Sequence, residues 1–438
     1  MKVRVRPTVP ALFLICFLAA INTSAATLVV TKTADTSDGV CDADCSLREA
    51  VTGAASGDII VFSGLFNMPQ TITLTEGQIA VTKNLTINGP GTVFLSVSGN
   101  NVGRILRISG GVTVNLSGMN FRDGRVGATI EESIGGAIRL DGSTNTLNLT
   151  DMEFMNNYAF NTQTNQGYGG AVGTVDSCTV NMDRVYMHDN TAPDGAAVRG
   201  RPGNLSIKNS IISNNTGEAV TGNMVTVRDT IFSRNSGTGV EGTQLTLTNS
   251  IVRGNGTGVG SATMIDKCII EDNGFDFNDA RGGGVINGSI GGVIRNTIIR
   301  NNKKRSGTGS GGGISTFRTL HVINSSIIQN TAANGGGIAN STEHLFVTNS
   351  TVSGNAAMGG TNPGLGGGIY SQVNAGGPNA RITITNSTIT NNVSSGKGGG
   401  IYHESTNEAR IRNSIIAKNN SVLTAEKDIS AAYLSRKA

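Results

Sequence analysis

The sequence predicts an all-β chain wound into a right-handed parallel β-helix, a solenoid closed at its N-terminal end by a short capping α-helix. Three observations lead there. A glycine phrase ending in Ile or Val recurs along the chain, as in Gly135-Gly136-Ala137-Ile138, Gly169-Gly170-Ala171-Val172, Gly366-Gly367-Gly368-Ile369 and Gly398-Gly399-Gly400-Ile401. Each phrase is followed by an alternating run that ends in an Asn turn, such as Ile382-Thr383-Ile384-Thr385-Asn386-Ser387, and alternation of period two marks a strand with one buried face. Equivalent turn residues also keep step: Asn209, Asp229 and Asn249 are spaced 20 residues apart, while the interval from Asn349 to Asn386 stretches to 37. A repeat whose length varies only in its turns is a solenoid whose extra residues bulge from one edge.

Taken in order, the chain begins with Lys2, Arg4 and Arg6 ahead of an apolar run from residue 11 to 21, then Ser24-Ala25-Ala26. That is a secretory leader over residues 1–26, too short to span a bilayer comfortably and cleaved after Ala25 or Ala26. Its removal takes the formal net charge from +4 to +1, so charge identifies no partner. Residues 27–66 form the N-terminal cap. Ser46-Leu47-Arg48-Glu49 is a capping box, in which the Ser side chain and the Glu carboxylate satisfy each other's backbone amides. Leu47, Ala50, Val51 and Ala54 fall on one helical face, and the helix is expected to end by Gly57 and to hide the open strand edge of the first coil. Residues 67–423 carry the repeats, each about three short strands and three turns. In them Asn of the Asn-Ser pair makes a bend, because it tolerates left-handed backbone. Residues 424–438 are a tail.

Composition narrows the function. Only 15% of residues are charged and 4% aromatic, with no Trp, which excludes a nucleic-acid binder built on a basic patch with stacking rings. Of the four cysteines beyond the leader, Cys41 and Cys45 are close enough to close a small disulfide loop, while Cys178 and Cys268 sit several coils apart and read as buried thiols.

Cys41-Asp42-Ala43-Asp44-Cys45-Ser46-Leu47-Arg48-Glu49-Ala50, followed by Gly57-Asp58-Ile59-Ile60-Val61-Phe62, resembles the CSLREA domain that opens many exported bacterial β-helix proteins. Gly-Gly-Ala-Ile at 135–138 and Phe154-Met155-Asn156-Asn157 resemble the polymorphic outer-membrane protein repeat. Asn413-Ser414-Ile415-Ile416-Ala417 with Asp428-Ile429 is similar to the start of a choice-of-anchor region. The resemblance implies surface display or secretion and supplies no general catalytic residues. The residues after Asp428-Ile429 resemble neither a membrane anchor nor a barrel, so release and truncation are both open.

Parallel β-helices include pectin-degrading enzymes, so carboxylate clusters deserve testing. Asp35, Asp38, Asp42 and Asp44 surround the expected disulfide, and Glu271, Asp272, Asp276 and Asp279 crowd one loop. Either group could hold calcium through several oxygens, though neither has the spacing of a known calcium loop, and solvated loop acids are the simpler account. Other acids, such as Asp189 and Asp229, occupy turn positions that Asn holds elsewhere. His188, His321, His344 and His403 share no metal spacing, Tyr370 and Tyr402 are placed to stack on successive coils, and the threonine pairs 246/248 and 383/385 are too often interrupted for an ice-binding face. The longer insertions, 158–168, 273–281, 301–310 and 355–365, all fall between Asn and the next glycine phrase, and so should emerge from one corner as a binding edge.

The expectation is therefore an exported, non-catalytic scaffold of the cell surface or extracellular space, adhesin-like or binding the cell envelope. It would be monomeric, with no cofactor apart from calcium at those acids, and with a cell-surface glycan or protein as ligand. The alternative is a calcium-dependent polysaccharide lyase or glycoside hydrolase of the pectin-degrading type. Mass spectrometry of the protein recovered from its native host should find Ala26 or Thr27 at the N-terminus; a folded protein retaining Met1 would end the export reading.

Overall fold

Each alternating run becomes a strand that turns its Ile, Leu and Val inward and stacks in register on the equivalent strand of the next coil. One interior column runs Leu85, Val114, Leu147, Val180, Leu205, Val225, Leu245, all buried. A second runs Val97, Phe121, Phe154, Met187, Ile212, Phe232, with Phe121 and Phe154 edge to face at 5.7 Å. Among the described residues neighbouring strands pair in parallel, in sheets of 25 and 14 strands with smaller sheets of four and two. The chain is a right-handed parallel β-helix. The computed structural model describes residues 25–127, 133–274, 283–288, 291–304, 309–360, 362–372, 380–404, 409–423 and 427–431; residues 1–24 and most of 424–438 lie outside them.

The recurring phrases each have a physical reason. The first glycine of a phrase is left-handed, as at Gly366 with φ +66°, and a side chain on the second would collide with the next coil, as at Gly367, where a Cβ would lie 2.4 Å from the Val393 carbonyl oxygen. Asn of the Asn-Ser pair is also left-handed, with φ 51° at Asn209, 46° at Asn249 and 50° at Asn386, and Asp229 does the same at 51°. The following Ser or Thr is buried, and its hydroxyl accepts from the backbone amide of its counterpart one coil earlier: Thr230 N to Ser250 Oγ at 3.2 Å, Ser325 N to Ser350 Oγ at 3.1 Å, Ser350 N to Ser387 Oγ at 3.1 Å. Cys268 stands in this row, its amide donating to Thr297 Oγ1 and its thiol packed against the Asp266 carbonyl. Burial pushes that thiol up to about 11, so it is unreactive at neutral pH.

The second Asn of each repeat, which the sequence reads as the start of a loop, carries more. Asn157, Asn190, Asn215, Asn235, Asn255, Asn273, Asn302, Asn330, Asn355, Asn392 and Asn419 form one buried ladder. In each rung the backbone amide and Nδ2 both donate to Oδ1 of the next, as from Asn235 to Asn255 at 3.0 and 2.8 Å, and Nδ2 also reaches a carbonyl of the preceding strand, as from Asn255 to Phe232.

Two expectations need correction. Length varies at two corners rather than one. In the central coils the glycine-phrase strand and the alternating run fuse into single strands, Val198–Lys208, Val220–Arg228, Thr238–Thr248 and Thr257–Asp266. Farther along they are separated, with residues 372–380 falling between Ile369–Ser371 and Arg381–Thr385. Fusion needs a tight bend with small residues inside it: a Cβ at Gly222 would lie 2.5 Å from Val225 Cγ2. The cap also differs. Strand β1 (Thr27–Val30) pairs with β2 (Ile59–Phe62) and so covers the strand edge itself. Helix α1 (Leu47–Gly53) instead plugs the end of the core with Leu47, Ala50 and Val51. It ends at Ala54, where the apolar face ends and within the limit of Gly57, because Asp58 draws off the Ala55 amide at 2.7 Å and Lys83 Nζ caps the Thr52 carbonyl at 2.8 Å.

Replacing a central rung tests the ladder. Asn255→Leu strands the donors of Asn235 and takes the Nδ2 donor from the Phe232 carbonyl and from Asn273 Oδ1, and should cost roughly 3 kcal/mol or more, since each buried unmet group costs about 1–3 kcal/mol. Chemical denaturation reads this directly; a loss within about 0.5 kcal/mol, the usual range of surface changes, would make the ladder incidental.

Candidate functional site

At the corner where the 158–168 insertion emerges, the turns of successive coils build a cleft of 590 Å³. Its floor and walls come from successive coils: Gln78 and Arg104, the turn at Asn101, then Arg125 and Val126, and the segment with Tyr158, Phe160 and Thr162. Arg125 and Tyr158 are register partners, each one residue past the ladder position, and the guanidinium lies 4.1 Å over the Tyr ring. Phe160 meets that ring edge to face at 6.2 Å. Arg104 is buried and held by the carbonyls of Gly135 and Ile134 at 2.9 and 3.1 Å and by Gln78 Oε1. Arg125 makes no ion pair among the described residues. The result is a concave, cationic and aromatic site on rigid coils, suited to a ligand with a flat apolar face and many hydroxyl or anionic groups.

The sequence singles out the 158–168 insertion but not Arg104, Arg125 or Gln78. The available signal was positional: Arg125 follows Asp123-Gly124 as Tyr158 follows Asn156-Asn157.

The acids singled out from sequence are dispersed. Asp35 is buried and committed, accepting Arg48 through both oxygens at 2.9 and 2.8 Å and the amides of Thr75 and Glu76. Asp38 and Asp42 accept the amides of Val40 and Asp44 in their own turns, and Asp44 pairs with Lys32 at 3.1 Å. Glu271 pairs with Arg300 at 2.7 Å, and Asp272 takes a left-handed corner with φ 56°. Asp276 and Asp279 lie outside the described residues. Among the described residues no three His, Cys, Asp or Glu side chains stand close enough to share a metal.

A second titratable cluster lies on the 14-stranded sheet. His188 Nδ1 is 2.6 Å from Asp189 Oδ2 and its Nε2 is 3.0 Å from Glu153 Oε1, with Tyr186 stacked on the ring at 4.2 Å. Both ring nitrogens face carboxylates, so the imidazole is held in place with neither nitrogen turned to solvent for proton transfer. Tyr370 and Tyr402 stack in register at 5.9 Å.

Cys41 and Cys45 form a disulfide with a Cα separation of 4.5 Å, just ahead of α1. In the capping box Ser46 N donates to Glu49 Oε2 at 2.6 Å and Glu49 N to Ser46 Oγ at 3.1 Å. Leu47 and Glu49 are both buried.

No family model matches this chain, and no curated protein matches it. Among solved structures it is similar to the Azotobacter vinelandii mannuronan C-5 epimerase AlgE4 A-module, with 14% identity, 89% of this chain and 98% of that one covered, and a TM-score of 0.42. It is likewise similar to the periplasmic alginate epimerase AlgG, at 10% identity, 99% of both chains and a TM-score of 0.41. Pectate lyase Pel9A is similar at 11% identity, with 80% and 79% covered and a TM-score of 0.28. Likeness at this level says nothing of ligand or activity.

The cap makes a pH prediction. Burial alone would raise Glu49, but the Ser46 and Asp38 amides, the Ser46 hydroxyl and Lys32 outweigh it and hold the carboxyl at about 2. A native pKa below the unfolded value of about 4.3 stabilises fully above that value, and the contribution is lost as pH falls through the native one. The difference in melting temperature between wild type and Glu49→Gln should therefore be largest above about pH 5 and close towards pH 2. A gap independent of pH would reduce Glu49 to packing.

Proposed function

We propose that this protein is an exported, non-catalytic β-helix scaffold of the cell surface or extracellular space that binds a glycan in the corner cleft. The observation that carries the reading is the Arg125–Tyr158 pair, an aromatic face backed by a fixed charge inside a cleft of ligand size. Sugars offer apolar ring faces to aromatic side chains and hydroxyls to planar amide and guanidinium groups, and Gln78, Asn101 and Arg104 supply the latter. Export is supported by the leader and by the resemblance of residues 41–50 to the CSLREA motif. No helix among the described residues is long and apolar enough to cross a membrane.

The competing reading, a calcium-dependent polysaccharide lyase or glycoside hydrolase, needs carboxylates beside the bound sugar. Among the described residues lining the cleft there is none.

Glycan arrays followed by calorimetry on the mature protein separate the two. Tyr158→Ala and Arg125→Ala should each weaken binding by about tenfold, the equivalent of about 1.4 kcal/mol, with the fold unchanged. Unsaturated products or new reducing ends released from the bound polysaccharide, with or without calcium, would replace this reading with the enzymatic one.

A further inference from the structure

A different face of the solenoid, towards its C-terminal end, gathers aromatic and cationic groups that the corner cleft does not use. On the outside of the 25-stranded sheet the strands Leu320–Ile323, His344–Thr348, Arg381–Thr385 and Ala409–Arg412 lie side by side. His321, Phe346, Thr383 and Arg410 form one outward row, and His344 faces Arg381 in the next. Phe346 lies against both imidazoles: the His321 ring is 4.5 Å away and parallel within 1°, and the His344 ring is 3.8 Å away at 23°. His344 Nε2 is 2.8 Å from Thr383 Oγ1. All are partly open to solvent, and Arg381 is exposed, with no ion pair among the described residues.

We infer that this surface is a second binding site, for an anionic polysaccharide carrying one carboxylate per sugar, and that acid strengthens its grip. The charges point to an anion. His321, His344 and Arg381, which are cationic or become so in acid, stand together with Arg410 beside them, and among the described residues the acid next to His344, Glu343, is already held by Arg318 at 3.2 Å and by the Thr319 amide and hydroxyl. The spacing points to a polymer of sugars. Successive coils are about 4.8 Å apart, close to the advance of one sugar residue in an extended chain, so His321, His344 and Arg381 on three coils offer one cation per residue along the solenoid axis.

The pH dependence follows from the surroundings of His344. Burial, then Arg381, Arg410 and His321, hold its pKa below the usual histidine range. From its own strand it meets Phe346, from the coil before it His321, and from the coils after it Arg381, Thr383 and Arg410, while Glu343, the residue before it, is turned to Arg318 and Thr319. Near neutral pH the ring is uncharged. A carboxylate beside it removes the repulsion that keeps it so, so anion binding and proton uptake favour each other. Protonation also turns each imidazole into a cation beside the Phe346 face.

The test is calorimetry of the mature full-length protein with oligogalacturonate, its methyl ester and a single-stranded DNA of matched charge, at about pH 5 and about pH 7, on either side of the usual histidine range. Oligogalacturonate should bind more tightly at the lower pH, and the ester and the DNA should bind at least tenfold more weakly, roughly one charge-assisted contact. Arg381→Gln should lose about tenfold at both pH values. His321→Gln with His344→Gln should keep the neutral-pH affinity and lose the gain in acid, while Tyr158→Ala, which disables the corner cleft, should change neither. Equal binding of the ester, DNA binding as tight as the uronate, an acid gain that survives the double His substitution, or no binding at either pH would each overturn the assignment. Loss on Tyr158→Ala alone would place the uronate in the corner cleft and leave that reading standing.

Discussion

The buried asparagine ladder is the constraint on which the rest of this solenoid depends. A coil must turn a corner at the end of its short third strand, and turning inside a dry core strands backbone groups that cost about 1–3 kcal/mol each. One amide side chain per coil answers this. Its Oδ1 takes the amide and Nδ2 of the coil before, while its own Nδ2 takes a strand carbonyl and the next Oδ1, as at Asn255 and Asn330. Because each rung bonds the next, coils cannot slip by a residue without breaking the row. That fixed register keeps outward rows aligned, and aligned rows are what make a surface here: Arg125 on Tyr158, His321 on Phe346.

The ladder also explains what was legible in the sequence. Gly-Gly-x-Ile and Asn-Ser recur because left-handed backbone and close coil contact restrict those positions to very few residue types, so the fold could be read from them. The surfaces could not. Tyr158 faces Arg125 across 33 residues and Phe346 faces His321 across 25, and those separations differ because each coil has its own turn lengths. Only a register fixed in three dimensions says which outward residues meet. The corner acids were legible for the same reason as the asparagines: Asp229 and Asp272 take the left-handed backbone that Asn takes in other coils. Asp35 is buried and anchors Arg48 of the capping helix to the first coils.

Coil size is not uniform, and the variation has a pattern. Between ladder rungs the chain spends 33 residues from Asn157 to Asn190, only 20 at Asn215 to Asn235 and again to Asn255, then 29 from Asn273 to Asn302 and 37 from Asn355 to Asn392. The lean central coils have fused strands and short corners. The wide coils on either side carry the projecting turns.

The ladder has a direction, and its last rung shows it. Every rung donates towards the C-terminal coil and accepts from the N-terminal one, so its amide dipoles point the same way and their positive ends sum at the C-terminal side, as peptide dipoles do at the start of a helix. An asparagine as the final rung would need a further acceptor for its Nδ2. The chain instead places Asp428 there, whose Oδ1 receives Asn419 N at 3.0 Å and Asn419 Nδ2 at 2.9 Å. A carboxylate has acceptors only, so it asks for no further rung, and its negative charge faces the positive end of the row. At the opposite end Gly124 needs no side chain at all, since its backbone amide alone donates to Asn157 Oδ1 at 2.9 Å. Among the described residues the row thus runs from a glycine donor at Gly124 to a carboxylate acceptor at Asp428.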